Sequence, residues 1–370
     1  MRKLLYKGNN IFDIVEAADL EPGPDDIIIS MKAASLCGSD LHIKDHHDYE
    51  FQKNPDYSPP VPGHEPAGIV QKVGQDVTGF MPGDRVVVYH KIGCGWCRYC
   101  RSGEIVHCIE GGAISTEFDG ACADQMCVPA RNCMHLPNSV SFEDGAILMC
   151  AGGTAYSGLK KLKLCAGETL AIFGCGPIGL TTLIFARAMG AKTICIDIND
   201  FRLGKAKELG ADFCINSKED SETAFSYSLI HGLQVPAHEV VRKIYDYTLG
   251  YGVECAAECS AALEARVNAV DSLRKHGRLV YLGISNQHRY GKGFQRSGEP
   301  DKIIFKELEI FGSNVFPLPM YYEIVDFMSN MGISLESLIT HRFLLEEGSE
   351  AFAAAASQES GKVVIFWPEK

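Results

Sequence analysis

The sequence predicts an α/β protein built from a β-rich part and a doubly wound parallel sheet. Three observations carry this. At 370 residues the chain is too long for one ordinary core, so two domains are expected. Residues 1–150 hold short β-branched runs separated by Pro/Gly turns, and from residue 167 strand-like and helix-like runs alternate.

The first part reads DIIISMKAAS and GDRVVVYH as strands, with EPGPDD, PGHEPAG and MPGD as turns between them. HHDYEFQKNPDYS, His46–Ser58, reads as a polar, aromatic loop. From Glu168, ETLAIFGCGPIGLTTLIFARAMGAKTICIDIND reads as strand, Gly-rich turn, helix, strand. LGADFCINS follows, then a helix in HEVVRKIYDYT and a strand in VECAAECS. The helix LEARVNAVDSLRKHG leads into the strand RLVYLGIS. The polar, Gly-rich segment QHRYGKGFQRSGEPDK is expected to bridge domains, and KVVIFW near the end reads as a strand. No internal repeat or low-complexity tract stands out.

Composition narrows the function. Hydrophobic residues make up 46% and charged residues 22%, enough for large cores. The formal net charge of −12 argues against a nucleic-acid partner, which calls for a basic face. No apolar run approaches the roughly 20 residues of a membrane span, and MRKLLYKGNN makes a poor signal peptide. Fifteen cysteines in so long a chain read as thiols and metal ligands of a reducing cytoplasm.

The Gly-rich turn is Gly174-Cys175-Gly176-Pro177-Ile178-Gly179. The first glycine permits the tight turn, the second lets a pyrophosphate approach the backbone, and the third lets helix and strand pack closely. The pyrophosphate then meets the positive helix N-terminus. Asp197 ends the following strand, about 20 residues on, where a carboxylate accepts hydrogen bonds from the adenosine ribose. It would repel a 2′-phosphate, which favours NAD over NADP; Arg202 nearby works the other way, unless it is a solvated first-turn charge.

Three further stretches carry metal-ligand residue types: CGSDLH (Cys37–His42), GHEPAG (Gly63–Gly68) and CGWCRYCRSGEIVHC (Cys94–Cys108). Together with GHEPAGIVQKVG, the GCGPIG turn, THRFLLEEGSEAF and GKVVIFW, they occur in the order found in zinc-dependent medium-chain alcohol dehydrogenases, which the chain resembles over nearly its whole length.

The resemblance implies a Rossmann domain at 152–313 and a GroES-like catalytic domain formed by 1–151 and 314–370, with a structural zinc lobe at about 91–110. Cys94, Cys97, Cys100 and Cys108 match the family's four structural ligands. Four thiolates saturate a tetrahedron and leave no open position. Disulfides are disfavoured by compartment and crowded spacing, and a ferredoxin-like cluster by a final gap of seven residues. Cys37 and His64 match two catalytic-zinc ligands. MCAGGTAY resembles the version of the family in which Cys150 is the third. Glu65 resembles a glutamate that approaches the metal during ligand exchange, with a charge that never ligates as the alternative. Asp40 is the expected acceptor for the other nitrogen of His64. By the same resemblance Ser39 takes the alcohol proton, His42 releases it to solvent, and Thr154 packs against the nicotinamide. A helix cap and a satisfied polar residue are the plainer readings of Ser39 and His42.

The resemblance implies a small alcohol or its ketone as substrate. His90 falls where the family lines its substrate pocket and offers a polar contact, unless it is a solvent-facing strand end; Ala121 and Cys122 leave room. This favours a polar secondary alcohol: a polyol, cyclitol, sugar-derived alcohol or hydroxy amino acid. A bulky apolar alcohol such as a sterol or terpenoid is the second reading. A non-catalytic zinc- and NAD-binding redox sensor is the alternative of another class. The resemblance implies a homodimer or homotetramer, and no membrane partner is expected.

Overall fold

The computed structural model describes residues 1–54, 56–230, 233–284 and 300–368. The chain divides into two compact units, Met1–Gly153 with Val315–Lys370, and Thr154–Asn314.

The first unit is organised by one long strand, Asp26–Leu36, whose β-branched half is wholly buried at Ile27, Ile28 and Ile29. It pairs antiparallel with Glu65–Val73 along one edge. Along the other edge it meets Gln125–Pro129 in its first half and Lys362–Phe366 in its second. Arg85–Val88 and Cys133–His135 extend the sheet on one side and Ile339–Phe343 on the other. The end of the long strand is thus flanked by two others, with Ser35 opposite Glu65 and Leu36 opposite Val363. Close backbone approach is fixed at Gly68, where a Cβ would stand 2.3 Å from Ser30 O.

Helix Gly38–Lys53 follows at once. The Cys37 backbone N–H donates to Asp40 Oδ2 at 2.9 Å, closing its first turn. This corrects the loop expected from His46: the segment is helical to Lys53, because a polar run without a wide apolar stripe carries no clear helical signal.

The second unit is a six-stranded parallel sheet in the order Phe213–Asn216, Lys192–Asp197, Thr169–Phe173, Val253–Glu258, Leu273–Tyr281, Glu309–Gly312. The chain starts in the middle, works outward, and returns to the other side, so the order reverses beside Thr169–Phe173. Its near-continuous apolar strands are those of a sheet covered on both faces, as Leu170, Ala171 and Ile172 show by their complete burial. A hairpin, Glu222–Ile230 with Leu233–His238, was not anticipated. The alternation Phe225, Tyr227, Leu229 is its signal in the sequence; Tyr227 and Leu229 cluster with Ala237, Val241 and Tyr245. The expected bridging segment at 287–302 lies mostly outside the described residues; its end, Pro300–Lys302, opens the helix Pro300–Lys306.

Gly68→Ala should destabilise the first unit by about 1–3 kcal/mol, since two paired strands must part to admit a methyl group. Urea denaturation followed by tryptophan fluorescence measures this; an unchanged midpoint would show that the close approach at Gly68 is not maintained.

Candidate functional site

Cys37 stands at the end of the long strand, His64 immediately before the next one, and Cys150 on the π-helical turn Leu148–Gly152. The donor atoms of Cys37, His64, Glu65 and Cys150 all lie within 4.8 Å of one another. Cys37 Sγ and Cys150 Sγ are 3.9 Å apart. Two sulfurs each about 2.3 Å from a tetrahedral zinc stand about 3.8 Å apart, so the pair fits that ion. Cys37 is held well below the usual thiol range by the bond from Cys150, against the cost of burial, with His64 adding to the effect. Cys150 is pushed up by the same bond and by burial. Metal binding would displace any thiol proton held between the two sulfurs.

Asp40 Oδ1 stands 2.8 Å from His64 Nδ1, and its other oxygen accepts from Cys37 N. One buried carboxylate therefore orients a nitrogen donor and the backbone of a sulfur donor, leaving His64 Nε2 for a metal. Burial disfavours the charged imidazole, but Asp40 outweighs it and carries His64 well above its ordinary value. Ser39 Oγ is 3.4 Å from His64 Nε2. Ser39 and His42 are both exposed and three residues apart on one helix, which places them on the same face.

His90 is buried, with 5% exposure, not a solvent-facing strand end. Its ring meets that of His64 edge-on, with centroids 5.1 Å apart. Burial, first, and the nearby His64 lower its pKa well below the ordinary histidine range, which favours the neutral ring. Its Nδ1 is buried without a hydrogen-bond partner. Ala121 and Cys122, expected to widen a pocket, are fully buried in the core; a Cβ at Gly63 would meet Cys122 Sγ at 2.7 Å. They support the segment that presents His64.

Sequence reasoning passed over Lys362. Its ammonium is completely buried and is paired with Glu65. Glu65 is raised to about 7, mainly by burial, with Lys362 opposing the rise.

The other four cysteines form a compact lobe. Cys94 and Cys100 sulfurs are 4.0 Å apart, those of Cys97 and Cys108 3.9 Å, far beyond the ~2.0 Å of a disulfide. Backbone N–H groups of Cys94, Cys97 and Cys100 point at the sulfurs of Cys108, Cys94 and Cys97. Gly93 admits the cluster, since a Cβ there would meet Cys100 Sγ at 2.5 Å. His107 is an exposed neighbour of Glu104 and stands apart from the four-sulfur group.

In the second unit, Gly174 has φ +93, and a Cβ would strike Ser260. A Cβ on Gly179 would lie 1.8 Å from Gly174 O, whereas nothing lies within 4 Å of one on Gly176. The middle glycine thus leaves the open cradle that a pyrophosphate needs, at the N-terminus of helix Pro177–Ala188, where Ile178 is half-buried. Asp197 accepts from Cys175 N at 2.6 Å and from Asn199 N at 2.9 Å. Each carboxylate oxygen keeps a further lone pair for a ribose hydroxyl. Arg202, in the first turn of helix Asp200–Glu208, is half-buried with Nε unpartnered, so it is not simply a solvated charge. Thr154 is buried at the start of this unit.

Residues 23–138 match the Alcohol dehydrogenase GroES-like domain and residues 177–330 the Zinc-binding dehydrogenase domain. The chain is 32% identical over 98% of its length to an uncharacterized zinc-type alcohol dehydrogenase-like protein, YphC, of Escherichia coli K12, covering 97% of that protein. It is 30% identical to an L-threonine 3-dehydrogenase of Burkholderia mallei, over 94% of each. Among solved structures, galactitol-1-phosphate dehydrogenase from Escherichia coli superposes with a TM-score of 0.81 at 25% identity, over 99% of this chain and 100% of that one.

Cys100→Ser should lower zinc content by one ion per chain and lower the melting temperature, because a saturated four-thiolate site contributes to folding. Metal analysis beside a thermal melt reads both; unchanged values would remove the metal from the lobe.

Proposed function

The chain belongs to the zinc-dependent medium-chain alcohol dehydrogenases, and on that premise we propose that it moves a hydride between NAD and a polar secondary alcohol, with the matching ketone as the other partner. The substrate class is a polyol, cyclitol, sugar-derived alcohol or hydroxy amino acid. The observation that carries this choice is the buried His90 with an unpaired Nδ1 beside His64. An unmet buried polar atom is costly, so the site favours a substrate with a second hydroxyl or an amino group to satisfy it.

Cys37, His64 and Cys150 would hold the catalytic metal; Cys94, Cys97, Cys100 and Cys108 would hold a structural one, two zincs per chain. Zinc would supply Lewis-acid polarisation of the alcohol, and NAD the hydride acceptor. The residues of the chain do the rest. Asp40 fixes the ring of His64. Ser39 receives the substrate's hydroxyl proton near His64, and exposed His42 on the same helix face delivers it to water. Thr154 is assigned to the nicotinamide by resemblance. Gly174, Gly176, Pro177, Ile178 and Gly179 cradle the pyrophosphate, and Asp197 takes the adenosine ribose and repels a 2′-phosphate. A cytoplasmic location is read from fifteen cysteines in so long a chain, as thiols and metal ligands of a reducing compartment. Among the described residues no helix is long and apolar enough to cross a membrane. Assembly as a homodimer or homotetramer follows from the resemblance.

The first test is an NAD-reduction screen across polyols, cyclitols, hydroxy amino acids, sterols and simple alcohols; turnover confined to apolar alcohols would contradict the substrate class. His90→Phe should then shift kcat/KM by at least about 10-fold towards apolar alcohols at constant zinc content, since an apolar wall penalises the polar substrate. Unaltered selectivity would remove His90 from the pocket.

For the cofactor, NAD should be preferred over NADP by kcat/KM. Asp197→Ala should cost roughly 10-fold with NAD, the loss of a hydrogen bond to a buried partner. Steady-state kinetics with both cofactors decide; a wild type that prefers NADP would transfer the recognition role to Arg202.

A further inference from the structure

Lys362 has no role in the reading above, yet its surroundings are unusual. It is the first residue of strand Lys362–Phe366, and its side chain is inaccessible to solvent. A lysine is buried so completely only where its charge is matched. Nζ donates to Glu65 Oε1 at 2.7 Å, to Glu65 Oε2 at 2.5 Å and to Leu36 O at 3.1 Å. Leu36 immediately precedes Cys37, and Glu65 immediately follows His64. One ammonium thus grips the chain beside two of the three assigned donors.

Glu65 is itself close enough to be a donor, since its carboxylate lies within 4.8 Å of the donor atoms of Cys37, His64 and Cys150. The number of protein donors decides what such a site can do. Four fill a tetrahedron and make a closed, structural site, whereas three leave a place for substrate. What distinguishes Glu65 is that the Lys362 ammonium holds both of its oxygens.

We propose that Lys362 is a positioning residue that withholds Glu65 from the metal and so keeps the fourth coordination position open for substrate. The charges agree with this. The two thiolates and Glu65 carry three negative charges, matched by one divalent metal and one ammonium, while buried Asp40 is hydrogen-bonded to His64. Without the ammonium a buried negative charge is left over, and binding to the metal becomes the nearest way to stabilise it. The requirement falls on a positive charge at this place, so arginine can stand in for lysine only if it reaches the same two oxygens.

The inference rests on the assignment of Cys37, His64 and Cys150 as the three donors, and the experiment separates the two. The zinc is exchanged for cobalt and the visible spectrum titrated with imidazole, an uncharged ligand whose binding does not answer to local charge directly. Wild-type protein should show thiolate-to-cobalt absorption from this site and a spectral change with imidazole; without either, it is the three-donor assignment that fails. Lys362→Met should keep the cobalt but bind imidazole at least about 10-fold more weakly, with turnover reduced in parallel. Adding Glu65→Gln to Lys362→Met should restore imidazole binding, because the displaced carboxylate is gone. Wild-type imidazole affinity in the single variant overturns the proposal. Should the single variant not fold, the double variant carries the test: it must fold and bind imidazole as wild type does, and failure in either respect overturns the proposal.

Discussion

The pairing of strand Asp26–Leu36 with its two neighbours is the constraint on which the candidate metal site depends. Cys37, His64 and Lys362 are far apart in sequence, yet each adjoins the end of one of three adjacent strands. The register that sets Ser35 opposite Glu65 and Leu36 opposite Val363 brings those ends together. A slip of one residue would turn the whole set of side chains to the other face. The buried Ile27–Ile29 run makes such a slip costly, so the core of the first unit enforces the geometry of its chemistry. Cys150 arrives separately on a π-helical turn, a local widening of the helix that recurs at functional sites.

Burial then sets the chemistry of each group. His90 and His64 have edge-to-face rings only 5.1 Å apart and are driven in opposite directions. Asp40 favours the charged form of His64, whereas burial without a carboxylate partner lowers the pKa of His90. Glu65 and Lys362 form a wholly buried pair. Breaking such a pair from one side costs about 3–5 kcal/mol, because the surviving charge is left without compensation. The second unit follows a different logic. Its recognition elements are largely backbone: the open approach at Gly176, the helix N-terminus after it, and a carboxylate at Asp197 tethered to the Gly-rich turn through Cys175 N.

Features encoded within a few residues were legible in the sequence. The Gly-rich turn between strand and helix, the four clustered cysteines and the alternation of the parallel sheet are of this kind. Long-range pairings were less so. Nothing in KVVIFW marks its lysine as buried, since a strand residue's burial depends on which face its register turns inward. Ala121 and Cys122 read as pocket residues from their size alone, and only the fold shows them packed beneath Gly63. The hairpin Glu222–Ile230 with Leu233–His238 carries a period-two pattern, but it is short and sits between two stronger signals. Resemblance to a family supplied the ligand assignments that spacing could not, above all the choice of Cys150.

The most direct test of the central claim, that six cysteines and one histidine hold two zincs in unlike sites, is X-ray absorption at the zinc edge of the purified protein. Four sulfurs on one metal and two on the other average about three sulfurs per zinc, with roughly one nitrogen or oxygen neighbour. Cys150→Ser should either remove one metal, leaving a pure four-sulfur spectrum, or lower the sulfur average with both metals retained. A spectrum unchanged by that substitution, with two zincs still bound, would contradict Cys150 as a ligand and with it the three-donor site.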